Sequence, residues 1–155
     1  MIIRQATLKD FNALQELEHQ LFLKEFKDYD LTLNCNWLFS EEGIKDLKTY
    51  ITKKSQCAFI AEENNKLLGY LMGSIQKAQS WRKTMKKAKL ESFFVLKEFR
   101  NQSIGSKLNK AFNNWCTENK VNLVEVVVSA QNEAATRFYR KDGFKDYELT
   151  LEKPL

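Results

Sequence analysis

Apolar residues recur along this chain in two rhythms, one of three to four residues and one of two, and their order predicts a mixed α/β domain. Ile2 to Gln5 reads as a short strand. Thr7 followed by Asp10 supplies a hydroxyl and a carboxylate at the spacing of a helix start. Leu8, Phe11, Leu14, Leu17 and Leu21 then repeat at helical intervals and give that helix one apolar face. Phe22 to Phe39 is aromatic, mixed in charge and weakly periodic, and Ser40-Glu41-Glu42-Gly43 opens a second helix to about Lys54. Cys57 to Ala61 and Leu67 to Ile75 are β-prone runs about the polar turn Glu62 to Lys66, which predicts an antiparallel hairpin. Leu90 to Leu96 is a further strand.

The second half repeats the alternation of types. Ile104, Leu108, Ala111, Phe112 and Trp115 make a helical stripe over Ser103 to Lys120, and Leu123 to Val128 reads as a buried strand. Asn132 caps a helix running through Asp142, Gly143 ends it, and Tyr147, Leu149 and Leu151 alternate as a final strand should. With 155 residues, 43% of them hydrophobic, and no linker-like run, the expectation is one domain spanning 1–155.

Composition narrows the function classes. The N-terminus lacks the apolar run of a signal peptide, and no stretch approaches the ~20 apolar residues of a membrane helix, so a cytoplasmic protein without a membrane partner is expected. Cys35, Cys57 and Cys116 are far apart and in no metal-ligand spacing, which predicts neither a disulfide framework nor a metal site. The net charge of +5 is concentrated at Arg82, Lys83, Lys86, Lys87 and Lys89, a cluster that suits an anionic partner. A basic nucleic-acid or ribosome-associated domain is one reading of it, but no aromatic RNA-binding motif or zinc finger accompanies the charge. A homodimer is compatible with the sequence.

Two segments carry chemistry. Val95-Leu-Lys-Glu-Phe-Arg100-Asn-Gln-Ser-Ile-Gly105-Ser106 passes from a strand into a helix, where free backbone N–H groups and the positive helix end make an anion site. Glycine at 105 permits close backbone approach, so a phosphate or pyrophosphate is the natural ligand of Arg100, Asn101, Gln102, Ser103, Ile104, Gly105 and Ser106. The second segment, Asn132-Glu-Ala-Ala-Thr-Arg-Phe138-Tyr139-Arg-Lys-Asp-Gly143-Phe144, follows the apolar strand.

Together these segments resemble the GNAT superfamily of N-acetyltransferases, whose Arg/Gln-x-x-Gly-x-Gly/Ala loop cradles the pyrophosphate of coenzyme A; here Ser103 stands where the first glycine is usual. The resemblance implies a mixed, mostly antiparallel sheet whose central parallel strands splay, with the pantetheine arm pairing against the backbone of Phe93, Phe94 and Val95. It implies acetyl-CoA as cosubstrate, no metal, and an amine acceptor. It implies polarisation of the acetyl carbonyl by the Phe93 N–H, Asn132 and Phe138 beside the cofactor, and Tyr139 as proton donor to the departing thiolate. Leu90-Glu91-Ser92-Phe93-Phe94-Val95 further resembles the diamine and polyamine acetyltransferases of that superfamily, which implies Glu91 as the base serving the amine. Glu91, Phe93 and Val95 are expected to share one strand face by parity. A non-catalytic module that only binds acyl-CoA is the alternative suggested by Ser103.

Overall fold

The computed structural model describes residues 1–155 apart from Ala78, Arg82 and Thr84, so Arg82 of the basic cluster lies outside the described residues. The elements follow the order β1 (Ile2–Gln5), α1 (Phe11–Asp28), α2 (Glu41–Thr52), β2 (Gln56–Glu63), β3 (Lys66–Ile75), β4 (Lys87–Val95), α3 (Ile104–Glu118), β5 (Leu123–Val126) and α4 (Glu133–Lys141). The five strands lie in sequence order in one sheet. β1 to β4 pair antiparallel, and β4 and β5 pair parallel.

The start of the first helical segment carries the capping pair of Thr7 and Asp10 that the spacing predicts. Leu8–Asp10 forms one 3-10 turn, and the Asp10 carboxylate reaches back to accept from the Thr7 N–H at 2.8 Å and the Thr7 hydroxyl at 2.9 Å. Arg4 on β1 clamps the same carboxylate with its two terminal guanidinium nitrogens, at 2.7 and 2.8 Å, which holds the Asp10 carboxyl well below the usual range.

Strand alternation divides the core into two layers. Cys57, Phe59, Ala61, Leu71 and Leu90 face Ile104, Leu108, Phe112 and Trp115 of α3 and Tyr139 of α4. Ala58, Ile60, Tyr70, Met72 and Phe94 face Leu14 and Leu17 of α1 and Leu47 of α2. One irregularity matters for the site. Met72 stands opposite Ser92 and Gly73 opposite Leu90, so Glu91 is an extra residue in β4, a bulge that turns the strand's parity over. Glu91 and Ser92 therefore share the α1/α2 face, and Phe93 and Val95 pack on the α3/α4 face. The expected common face of Glu91, Phe93 and Val95 is corrected by this bulge.

A second correction concerns the C-terminus, where residues 144–155 form no strand and Tyr147, Leu149 and Leu151 are 70, 76 and 83% exposed. Alternation makes a strand only where a free edge and a covering layer coincide. Here the tail is anchored through side chains instead: Arg140 pairs with Asp146 at 2.6 Å, and the Lys87 ammonium lies 5.9 Å from the Tyr147 ring centre.

Gly73 lies close against α3, because a Cβ there would collide with the Phe112 ring and sit 3.0 Å from the Lys89 carbonyl oxygen. Gly73→Ala should destabilise the protein by about 1–3 kcal/mol through overpacking. Urea unfolding of a double-mutant cycle with Phe112→Leu checks the cause: the second change should recover part of the loss, whereas strict additivity would place the strain elsewhere.

Candidate active site

The parallel ladder between β4 and β5 ends at the pair Leu90 and Val126, yet β4 continues to Val95. Beyond that pair the two strands diverge, and the edge of β4 from Glu91 onward is not taken by β5. The Leu96 N–H bonds the Leu68 carbonyl on β3 at 2.9 Å. Because N–H groups alternate sides along a strand, those of Phe93 and Val95 point into the opening. The opposite wall is the segment after β5, where the Asn132 N–H bonds the Ser129 carbonyl at 2.8 Å and the chain turns into α4.

The floor is the connection from β4 to α3. A 3-10 turn, Lys97–Phe99, leads to Arg100, whose Nε donates to the Val95 carbonyl at 2.9 Å while its guanidinium lies 5.5 Å from the Phe94 ring centre. Asn101 and Ser103 both take left-handed backbone, with φ of 62° and 61°. Ser103 is the N-cap of α3 but makes no side-chain cap bond, and the first amide to reach back into the helix is that of Lys107, to Ser103 O at 3.0 Å. The N–H groups of Ile104, Gly105 and Ser106 are therefore the unpaired donors of a helix start, aimed outward from the positive end of the helix dipole. Gln102 sits in the same turn, its amide donating to the Glu98 carbonyl at 3.3 Å.

Gly105 has a second task beyond the one expected of it. A Cβ there would meet the Phe93 ring at 3.2 Å and the Phe138 ring at 3.5 Å. The bare backbone lets these two rings, 5.5 Å apart, close against the start of α3. On α4, Asn132 caps the helix through the Ala135 N–H at 3.1 Å. Phe138 meets Tyr139 edge-on at 5.4 Å, and Tyr139 meets Phe144 at the same distance. The Tyr139 phenol is buried, which pushes its pKa well up, and the Glu25 carboxylate pushes it further. It stays protonated through the neutral range and has a proton to give. Asp142 fixes the end of α4 on α3 by accepting from Asn109 at 2.6 Å.

The structure thus gathers Phe93, Val95, Gly105, Phe138 and Tyr139, with the residues 100–106 loop beneath. Glu91 lies beside Ser92 on the α1/α2 face of β4, across the strand from Phe93 and Val95, where Ser74 donates to it at 2.7 Å and Lys89 pairs with it at 2.8 Å. Two carboxylates that no motif singles out also adjoin the opening, both on α1. Glu18 is 5% exposed and accepts from Ser92 Oγ at 2.8 Å; since the single Ser92 proton goes there, the Tyr70 hydroxyl donates to Ser92 Oγ at 2.9 Å. Glu25 accepts from Ser129 Oγ at 3.3 Å. The signal for Glu18 was present as a carboxylate enclosed by Leu14, Leu17 and Leu21 on an apolar stripe.

The Acetyltransferase (GNAT) family model matches residues 11–144. This chain belongs to that family. It is an N-acetyltransferase that depends on acetyl-CoA. Over 150 residues it is 27% identical to an uncharacterised N-acetyltransferase of Methanocaldococcus jannaschii, covering 96% of this chain and 81% of that protein. The tetramutant of the BH1408 protein from Bacillus halodurans has the same fold, with a TM-score of 0.86 at 22% identity over 100% of both chains. So does AAC(6')-Iy in complex with a bisubstrate analogue, with a TM-score of 0.78 at 18% identity over 99% of this chain and 97% of that one. Among the described residues, no helix is long and apolar enough to cross a membrane.

Burial raises the Glu18 carboxyl above its ordinary pKa, so the folded state binds that proton more tightly than the unfolded chain. The stability this confers is present below the unfolded pKa and is lost as pH rises through the folded one. Glu18→Gln keeps an acceptor for Ser92 and removes the buried charge. It should melt above the wild type at pH 8, with the difference shrinking toward pH 4; a difference that does not change with pH would contradict the burial of a titrating carboxyl.

Proposed function

We propose that the protein transfers the acetyl group of acetyl-CoA to a primary amine by direct attack within a ternary complex, without a covalent enzyme intermediate. The observation that carries this reading is the divergence of β4 from β5, with the free amides of α3 at its floor and a protonated tyrosine on its wall. The residues present fit acetyl-CoA. An unpaired strand edge at Phe93 and Val95 can accept an extended amide-bearing arm as an added strand, and the N–H groups of Ile104, Gly105 and Ser106 can receive a diphosphate. Ser103 serves through its backbone, which already has the left-handed conformation that glycine would adopt there.

Acetyl-CoA supplies an acyl group activated as a thioester. The Phe93 N–H, fixed by the β3/β4 ladder, donates to the oxygen on which negative charge develops. As the amine nitrogen bonds the acyl carbon and the C–S bond breaks, the Tyr139 hydroxyl delivers a proton to the departing sulfur, and the phenolate recovers through water the proton that the attacking nitrogen sheds. Phe138 and Phe93 limit the water that reaches the acyl group. Two lysines of the basic cluster, Lys87 and Lys89, lie on β4 and are paired with Glu125 and Glu91 at 3.6 and 2.8 Å, which lowers the positive charge that a cationic acceptor meets.

Tyr139→Phe removes one hydroxyl and retains the ring contacts with Phe138 and Phe144. With a panel of primary amines as acceptors, it should lower kcat by roughly 10²-fold while leaving coenzyme A affinity and melting temperature unchanged. Wild-type kcat in this variant would remove Tyr139 from proton transfer. Coenzyme A binding with no amine acetylated would favour a module that binds acyl-CoA without turning it over.

A further inference from the structure

Glu18, Phe22 and Glu25 lie at i, i+4 and i+7 on α1 and so form one stripe along the helix. Its ends are fixed on opposite sides of the opening. Glu18 is bonded to Ser92 on β4, and Glu25 is bonded to Ser129 on the segment beyond β5. Between them Phe22 stacks on Trp37, the rings 6.5 Å apart and inclined by 10°. α1 therefore bridges the mouth of the opening and presents to it one half-buried carboxylate beside an aromatic pair.

Glu25 is the least satisfied group of this stripe. Its one hydrogen bond is the long contact from Ser129, and no lysine, arginine or histidine among the described residues pairs with it. Glu18 is spent on Ser92, and Glu91 on Ser74 and Lys89. A half-buried carboxylate with capacity to spare, next to stacked rings, is matched by an ammonium on an apolar stem.

We propose that Glu25 is the acceptor-binding carboxylate, receiving the ammonium group of a cationic alkylamine at the mouth of the opening, opposite Tyr139, with Phe22 and Trp37 along the alkyl stem. This rests on the acetyl-transfer reading and deepens it by naming the acceptor's charge and the residue that selects it. The influence of Glu25 on the phenols of both Tyr139 and Tyr70 agrees with that position. The same carboxylate disfavours an anionic acceptor.

The test uses the protein saturated with coenzyme A and two probes of equal length, n-hexylammonium chloride and sodium hexanoate, followed by NMR titration. The wild type should bind the ammonium and not the carboxylate. Glu25→Gln, which still accepts from Ser129, should weaken ammonium binding at least tenfold and leave coenzyme A affinity unchanged. In the protein without ligand, the Tyr139 phenol, assigned by difference from Tyr139→Phe, should titrate at lower pH in Glu25→Gln, a shift that a merely structural role does not produce. Equal ammonium binding by both proteins, or preference for hexanoate, overturns the proposal. Failure of both proteins to bind coenzyme A instead overturns the acetyl-transfer reading on which it rests.

Discussion

The parallel pairing of β4 with β5 stops at Leu90 and Val126, and the rest of the site depends on where it stops. Had the ladder continued, the N–H groups of Phe93 and Val95 would be consumed by a neighbouring strand. Because it ends, a stretch of β4 keeps one edge free in the middle of the molecule, covered by helices and not exposed as an ordinary edge. α3 follows β4 and α4 follows β5, so each diverging strand delivers a helix to the opening. The first brings unpaired amides and the second brings Tyr139. Gly105 joins the two halves, since its missing side chain leaves room for Phe93 from one wall and Phe138 from the other to meet over the start of α3.

The α1/α2 face of β4 serves a complementary purpose. The bulge at Glu91 decides which backbone groups turn toward the opening, and Ser92 pins that bulge to the buried Glu18 with Tyr70 behind it. Desolvating a carboxylate costs stability, and here the cost falls beside the opening between β4 and β5. The network supplies in return a fixed registration of Phe93. It also leaves Glu25, farther along the same helix, to meet whatever enters.

Much of this was legible in the residue pattern, and the failures have particular causes. The stripe of Ile104, Leu108, Phe112 and Trp115 gave α3 correctly, because a helix buried on one face writes its period plainly into the sequence. The spacing from Asn132 to Phe144 located α4, its cap and its end. The parity of Glu91 failed because a single inserted residue has no signature of its own, and everything after it changes face. Tyr147, Leu149 and Leu151 alternate as a strand does, but pairing depends on a partner edge that sequence does not display. Glu25 carries no local signal at all; its significance arises only from Ser129, which is distant in the chain and adjacent in space.

The most direct test of the account is a backbone-amide NMR titration with coenzyme A, read residue by residue. The largest shifts, and slowed hydrogen exchange, are expected at Phe93 and Val95 and at Ile104, Gly105 and Ser106, with β1 and β2 unaffected. Binding that leaves those five amides unmoved, or that perturbs instead the outer surface of α2, would contradict the claim that the divergence of β4 and β5 is where the cosubstrate is held.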